Sequence, residues 1–337
     1  MHELQLHVGT FTRSILIQLA LRDGSLTRAG IDLRESSVTS SPSQFESLES
    51  GEFDLVFTSP DNVLAYRYLT KNPLGRNLPV KILSAIDRGL GLSLCLGPTF
   101  DSIEEVRDNI VGVDVPQSGF AFIAYELLVR AGLHPGDYVI EALGSTPKRA
   151  RALIAGDCAA TILNAGNELR AAGAGCTIVK SVSDIGPYLG TVIAALSSSD
   201  PTINEARRRF VDVMLSTATS VVEGSRESDV ARAAMSLLDL NEDEAHAHYR
   251  CPEFHCDIGG IASTICTNSR TRVHYRFARR LRRRTVSPVA SARIVCAKYW
   301  AKRLKNRQAG GCNHVGNVGE SSIWAPHQWI QGNEPYD

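Results

Sequence analysis

Leu4, Leu6 and Val8 alternate with polar residues, which predicts a strand that Gly9 and Thr10 end. Ile15, Leu16, Leu19 and Ala20 then recur at helical spacing, up to a stop at Gly24. The same alternation of strand and helix signals continues through residue 257. Strands are predicted at Phe53–Phe57, Val80–Ile86, Val111–Asp114, Ala160–Leu163, Thr177–Lys180 and Thr191–Leu196. Between them, Thr58-Ser59-Pro60-Asp61 reads as a helix start with proline in the first turn. Pro116-Gln117-Ser118-Gly119 opens a helix whose inner face carries Ile123, Ala124, Leu127, Leu128 and Ala131, and Gly132 stops it. A helix over Pro147–Ala155 ends at Gly156, and another lies around Glu168. Capping-box spacing occurs at Ser102/Glu105 and Thr202/Glu205, and Asn241/Glu244 can cap a last helix through Tyr249.

Repeated strand–helix–strand units predict parallel sheets with helices on both faces. Such sheets bind ligands beyond the carboxyl ends of their strands. That rule selects five loops: Gly9–Arg13, Thr58–Pro60, Asp114–Gly119, Gly144–Thr146 and Asn164–Gly166.

Composition changes the picture at one place. Residues 1–257 hold 22 Lys/Arg against 33 Asp/Glu, whereas residues 258–337 hold 14 against 3. No acidic residue occurs from Ile258 to Gly319, so a boundary is expected near 257, followed by a basic, poorly ordered extension. Its aromatic residues Tyr275, Phe277, Tyr299 and Trp300 sit among arginines, yet no nucleic-acid-binding motif accompanies them, so nucleic acid is not an expected partner. Cys95, Cys158 and Cys176 lie in apolar settings and read as small buried hydrophobes. Cys251, His255, Cys256 and Cys266, joined by His246 and His248, lack a second clean pair of zinc-ligand spacing, and no metal is expected. Gly-x-Ser-x-Gly, Walker A and His-Glu-x-x-His are absent, so no catalytic residue and no cofactor is assigned. The longest apolar stretches are too short to span a bilayer. The first residues read as a strand rather than a secretion signal. The chain as written is therefore expected in the cytoplasm, or outside it if the start is incomplete.

Three strings then take on a common meaning. They are Gly51–Pro60, Ile110–Asp114 with Ser118-Gly119 beyond it, and Leu153–Leu163. With the order of elements over about residues 4–257, they resemble the type 2 periplasmic-binding-protein superfamily. The nearest branch is the ABC-transporter substrate-binding proteins for nitrate, sulfonates and thiamine pyrimidine precursors. The resemblance implies an α/β, two-lobed (Venus-flytrap) fold, each lobe a mostly parallel sheet flanked by helices. Lobe one would be 1–88 with 190–257, lobe two 89–189, and the crossovers would fall near Arg88–Leu92 and Gly186–Gly190. It implies capture of a small polar or anionic molecule between the lobes, with an ABC permease and ATPase as partners. The oligomeric state stays open. The alternative is a cytosolic enzyme on the same fold, a decarboxylase or cofactor-precursor synthase.

The candidate ligand-binding residues are Thr10, Phe11, Thr12, Thr58, Ser59, Asn62, Ser118, Gly119, Ser145, Asn164 and Tyr188. Phe11 could stack on a flat ligand. Thr58, Ser59 and Asn62 offer hydroxyls and an amide where backbone can approach closely, although Ser59 or Asp61 can equally cap a helix. Ser118 and Gly119 open a helix whose free N–H groups suit an anion, or form an ordinary capped start. Asn164 follows a buried strand and is a polar cleft residue or a turn residue. Tyr188 lines the hinge or packs there.

Overall fold

A computed structural model describes residues 4–250, apart from 88, 90 and 187. The basic extension and the cysteines from Cys251 onward lie outside the described residues.

The chain begins with β1 (Leu4–Thr10), α1 (Ile15–Arg22), α2 (Ser25–Arg28), β2 (Ile31–Ser37), α3 (Ser41–Ser50), β3 (Leu55–Thr58), α4 (Pro60–Tyr68) and β4 (Val80–Ala85). It continues through β5 (Ser93–Leu96), β6 (Ile110–Val113), α5 (Gly119–Arg130), β7 (Val139–Ala142), α6 (Thr146–Ala155), β8 (Ala160–Leu163), α7 (Asn167–Gly173) and β9 (Thr177–Ser181). β10 (Val192–Leu196), α8 (Pro201–Val222), α9 (Glu227–Leu238) and α10 (Glu242–Arg250) complete it.

The strands form two five-stranded sheets of matching order, β2-β1-β3-β10-β4 and β7-β6-β8-β5-β9. Each sheet is mixed. β10 is antiparallel to both β3 and β4, and β5 to both β8 and β9. The sequence periodicity alone predicted parallel sheets, and these two strands are the correction. Each is the first strand laid down after the chain passes from one sheet to the other, so it arrives from the opposite end.

Strand alternation decides what each face buries. Leu55, Phe57, Ile193 and Ala195 point to one side of the first sheet, against α1, α8 and α9. Val56, Val192 and Ala194 point to the other, against Phe45, Val63 and Tyr66 of α3 and α4. In the second sheet Val111, Val113 and Ile162 meet α5, while Leu163 meets Ala150, Leu153 and Ala171 of α6 and α7. β3 and β8 are buried on both faces, which is why they are mostly apolar rather than alternating. Cys95, Cys158 and Cys176 are unpaired and buried in this last cluster.

Two capping readings change. Ile103–Val106 is a single 3-10 turn, with the Ser102 hydroxyl spent on the Glu105 carboxylate. Helix α8 starts earlier than Thr202, because the Asp200 carboxylate accepts from the Thr202 N–H at 2.7 Å. Glu205 instead pairs with Arg208 and Arg209. At α10, Asn241 and Glu244 do form the reciprocal cap, both bonds 2.9 Å.

The chain passes between the sheets twice, after β4 and after β9, and the two passages are bonded side by side. Ile86 donates to the Thr191 carbonyl at 2.8 Å and Gly190 to the Asp87 carbonyl at 2.9 Å. The Asp87 carboxylate also accepts from the Gly89 and Thr191 N–H groups, at 2.8 and 3.0 Å.

Candidate functional site

The first, third, sixth, seventh and eighth strands end at one cavity of about 120 Å³. All five loops selected from the sequence reach it: Phe11, Thr12 and Arg13 after β1, Thr58 and Ser59 after β3, Asp114 and Ser118 after β6, Thr146 after β7, and Asn164 and Ala165 after β8. The convergence follows from the fold, because strands of one direction end on one side. Of the candidate residues, Phe11, Thr12, Thr58, Ser59, Asn62, Ser118 and Asn164 line the cavity.

Thr10, Gly119, Ser145 and Tyr188 are not among its lining residues. The Thr10 hydroxyl is fully buried and donates to Glu35 at 2.9 Å. Tyr188 donates its phenol proton to Asp61. Gly119 and Ser145 instead bridge the two halves through their backbones. Gly119 N–H donates to Asn62 Oδ1 at 2.6 Å, and Ser145 N–H to the Thr39 carbonyl at 2.9 Å. Ser41 N–H donates to Asp114 Oδ2 at 2.9 Å, Asn167 Nδ2 to Thr12 Oγ1 at 3.3 Å, and Arg170 pairs with Asp239 at 3.4 Å. Each bond joins elements of the first sheet's layers to elements of the second's, so the cavity is held shut around its rim. One helix N–H expected to be available to an anion, that of Gly119, is thereby already taken.

The sequence reading missed the most deeply buried charges. Arg149 of α6 is 1% exposed and lines the cavity. Its guanidinium donates to the Gly144 and Ile162 carbonyls and to Thr146 Oγ1. Burial outweighs the nearby Asp114 charge and pulls its pKa down to about 10. Burial pushes Asp114 the other way, above the usual carboxylate range, against the pull of Arg149 and of the Ser41 N–H and hydroxyl. His248 of α10 also lines the cavity, and burial holds its pKa down at about 4, so it is neutral at pH 7. The signal for Arg149 was present. Thr146, Arg149, Ala150 and Leu153 share the inner face of α6, so the arginine sits on the buried stripe.

Glu35 sits behind the first loop. It accepts from Thr10 Oγ1 at 2.9 Å and from Ser14 N–H at 2.8 Å, with Arg13 3.8 Å away. Burial is the largest influence and raises its pKa above 4.5. The fold thus favours protonated Glu35, and this contribution is full below pH 4.5 and lost as pH rises through the folded value. Glu35→Gln keeps an oxygen for Thr10 and Ser14 but cannot ionise. Its urea midpoint, relative to the parent, is expected to rise between pH 4 and pH 7. Midpoints that move in parallel would show that Glu35 titrates alike in the folded and unfolded chains.

No protein-family model matches this sequence, and no curated protein matches it. Solved structures do. The alkanesulfonate-binding protein of Xanthomonas axonopodis pv. citri, bound to MOPS, superposes with a TM-score of 0.61 at 13% identity, over 74% of this chain and 84% of that one. The periplasmic nitrate-binding protein of Synechocystis PCC 6803 gives 0.59 at 11%, over 71% and 68%. A Candida albicans protein with the generic periplasmic-binding-protein fold gives 0.55 at 13%, over 74% and 81%. The fold is therefore the two-lobed α/β fold of periplasmic binding proteins, the cavity lying between the lobes. Among the described residues, no helix is long and apolar enough to cross a membrane.

Proposed function

We propose that this chain is a solute-binding protein that closes on a small polar molecule between its lobes and delivers it to an ABC-type importer. A membrane permease and its ATPase are its partners in this reading. The observation that carries it is the convergence of five polar loops, from both lobes, on one cavity closed by bonds across its rim. The structural likeness to alkanesulfonate- and nitrate-binding proteins supports it. The lobes divide at the two passages, giving 1–88 with 190–257, and 89–189. Phe11, Thr12, Thr58, Ser59, Asn62, Ser118 and Asn164 contact the ligand in this reading, together with Asp114 and Arg149.

A ligand selective for the folded state raises the melting temperature, so a thermal-shift panel of sulfonates, carboxylates, carboxamides, nitrate and pyrimidines tests the reading. A panel without a single stabilising compound would overturn it. For a compound that does bind, Asn164→Ala and Ser118→Ala are each expected to weaken calorimetric affinity by about 1.5–3 kcal/mol where the lost bond is to a charged ligand group, and less for a neutral one. Both leave melting nearly unchanged. Ser118 Oγ has no protein partner to lose. Ser59 is the poorer probe, because its hydroxyl accepts from the Asn62 N–H and caps α4.

A further inference from the structure

Three residues that line the cavity each carry a buried polar atom with no protein partner: Asp114 Oδ1, Ser118 Oγ and Arg149 Nε. Their residues are 6%, 2% and 1% exposed, and all lie on the second lobe. Buried polar atoms are almost always paired, so three together on one cavity wall point to a ligand that completes them. Their chemistry differs. A carboxylate oxygen only accepts, a guanidinium Nε–H only donates, and a hydroxyl does either. The rest of each charged group is already spent. Asp114 Oδ2 holds the Ser41 N–H, and the other Arg149 nitrogens hold Gly144, Thr146 and Ile162. Asp114 and Arg149 feel each other's charge but form no ion pair, so neither completes the other's bonding.

An oxyanion brings acceptors alone. It would satisfy Arg149 and Ser118 while setting its own lone pairs against Asp114. A group that carries an N–H donor beside an oxygen acceptor satisfies all three. Most of the remaining surface is apolar, from Phe11, Leu16, Phe57, Ile86, Phe120 and Leu238, with polar side chains of the first lobe, Arg13 and Asn62 among them, set between. Resting on the cleft reading above, we infer that the cavity selects a small neutral molecule with a carboxamide- or lactam-like edge on an apolar, flat body, and discriminates against simple carboxylates and sulfonates. The N–H goes to Asp114, the oxygen takes the Arg149 Nε–H, and Ser118 serves either. The ring lies against the aromatic wall.

The test uses three probes that share one body and differ in the head: benzamide, benzoate and benzenesulfonate. Titration calorimetry on the full chain at pH 8 is expected to show benzamide binding at least tenfold more tightly than either anion. Asp114→Asn is expected to reduce that preference to about threefold or less, because an amide can donate as well as accept. Ser118→Ala, which should fold as the parent does, is expected to weaken benzamide at least threefold and guards against an Asp114 variant that fails to fold. Anions binding as tightly as benzamide, no benzamide binding, or a preference that both variants leave untouched would each overturn the inference. Anion binding accompanied by a fall in the radius of gyration would do so while leaving the cleft reading standing. The failure of every compound in the wider panel would remove the cleft reading itself.

Discussion

Arg149→Ala is expected to lower stability by about 3–5 kcal/mol. The guanidinium bridges the Gly144 carbonyl, which follows β7, and the Ile162 carbonyl inside β8. It thereby ties the Gly144–Thr146 loop of the cavity to β8. Truncation strips donors from the buried Ile162 carbonyl, the half-buried Gly144 carbonyl and Thr146 Oγ1, leaves a void the length of the arginine side chain, and removes the positive charge nearest Asp114. Each bond to a charged group contributes about 1.5–3 kcal/mol. Against that stands the cost of burying the guanidinium, which holds its pKa down at about 10. The sum therefore falls well below three full bonds. Arg149→Met separates the causes, since it refills the void without restoring a donor, and an intermediate loss is expected. Urea unfolding at pH 7 with an unchanged slope measures both. An unshifted midpoint for the alanine variant would mean that other donors reach Gly144 and Ile162.

Elements with strong local signals were legible in the sequence. Ala160–Leu163 is a strand within those bounds because both its faces are buried and three of its four residues are apolar. Helix α6 ends where Gly156 takes the left-handed conformation, at φ 81°. Two of the four edge strands, β2 and β7, were not legible. β2, with sequence IDLRESS, pairs only with β1 and has few buried positions. β7 is exposed at all four residues, so neither presents a hydrophobic period to read. Helix α3 was missed because its start depends on a cap from Ser40 to Ser43 within a serine-rich stretch that resembles a loop.

The cavity's position was legible for a different reason. Strand direction follows from element order, and element order places the loops, so seven of the eleven candidate residues line it without any knowledge of side-chain contacts. What order cannot give is orientation. Thr10 and Thr12 are two residues apart at the end of one strand, yet Thr10 turns into the body of the protein to meet Glu35, while Thr12 faces the cavity and Asn167. Asp114 and Arg149 are 35 positions apart on separate elements. Their proximity is a product of packing, which one sequence does not display.

Gly119→Ala is expected to hold the lobes apart without weakening either of them. Gly119 is the first residue of α5, and its N–H donates to Asn62 Oδ1 near the start of α4 in the other lobe. A β-carbon there would fall on Ser59 Oγ and come within 2.8 Å of the Asn62 backbone nitrogen. The hydroxyl can rotate away, but the helix backbone cannot. Within its own lobe the position is helical, where alanine is no worse than glycine, so the lobe's stability is preserved. The strain belongs to the closed arrangement alone. Overpacking of this kind costs about 1–3 kcal/mol. Spent on one side of an open–closed equilibrium, that shifts the ratio roughly 5- to 150-fold. Apparent ligand affinity then falls with the closed fraction, since binding must restore it. Solution scattering is expected to give the variant a larger radius of gyration than the parent, with melting temperatures within a few degrees of each other. Gly119→Val should accentuate the difference in scattering. Curves that superimpose for all three proteins would mean that the contact between α4 and α5 does not govern closure, and that the rim bonds at Ser41 and Ser145 hold the lobes together without it.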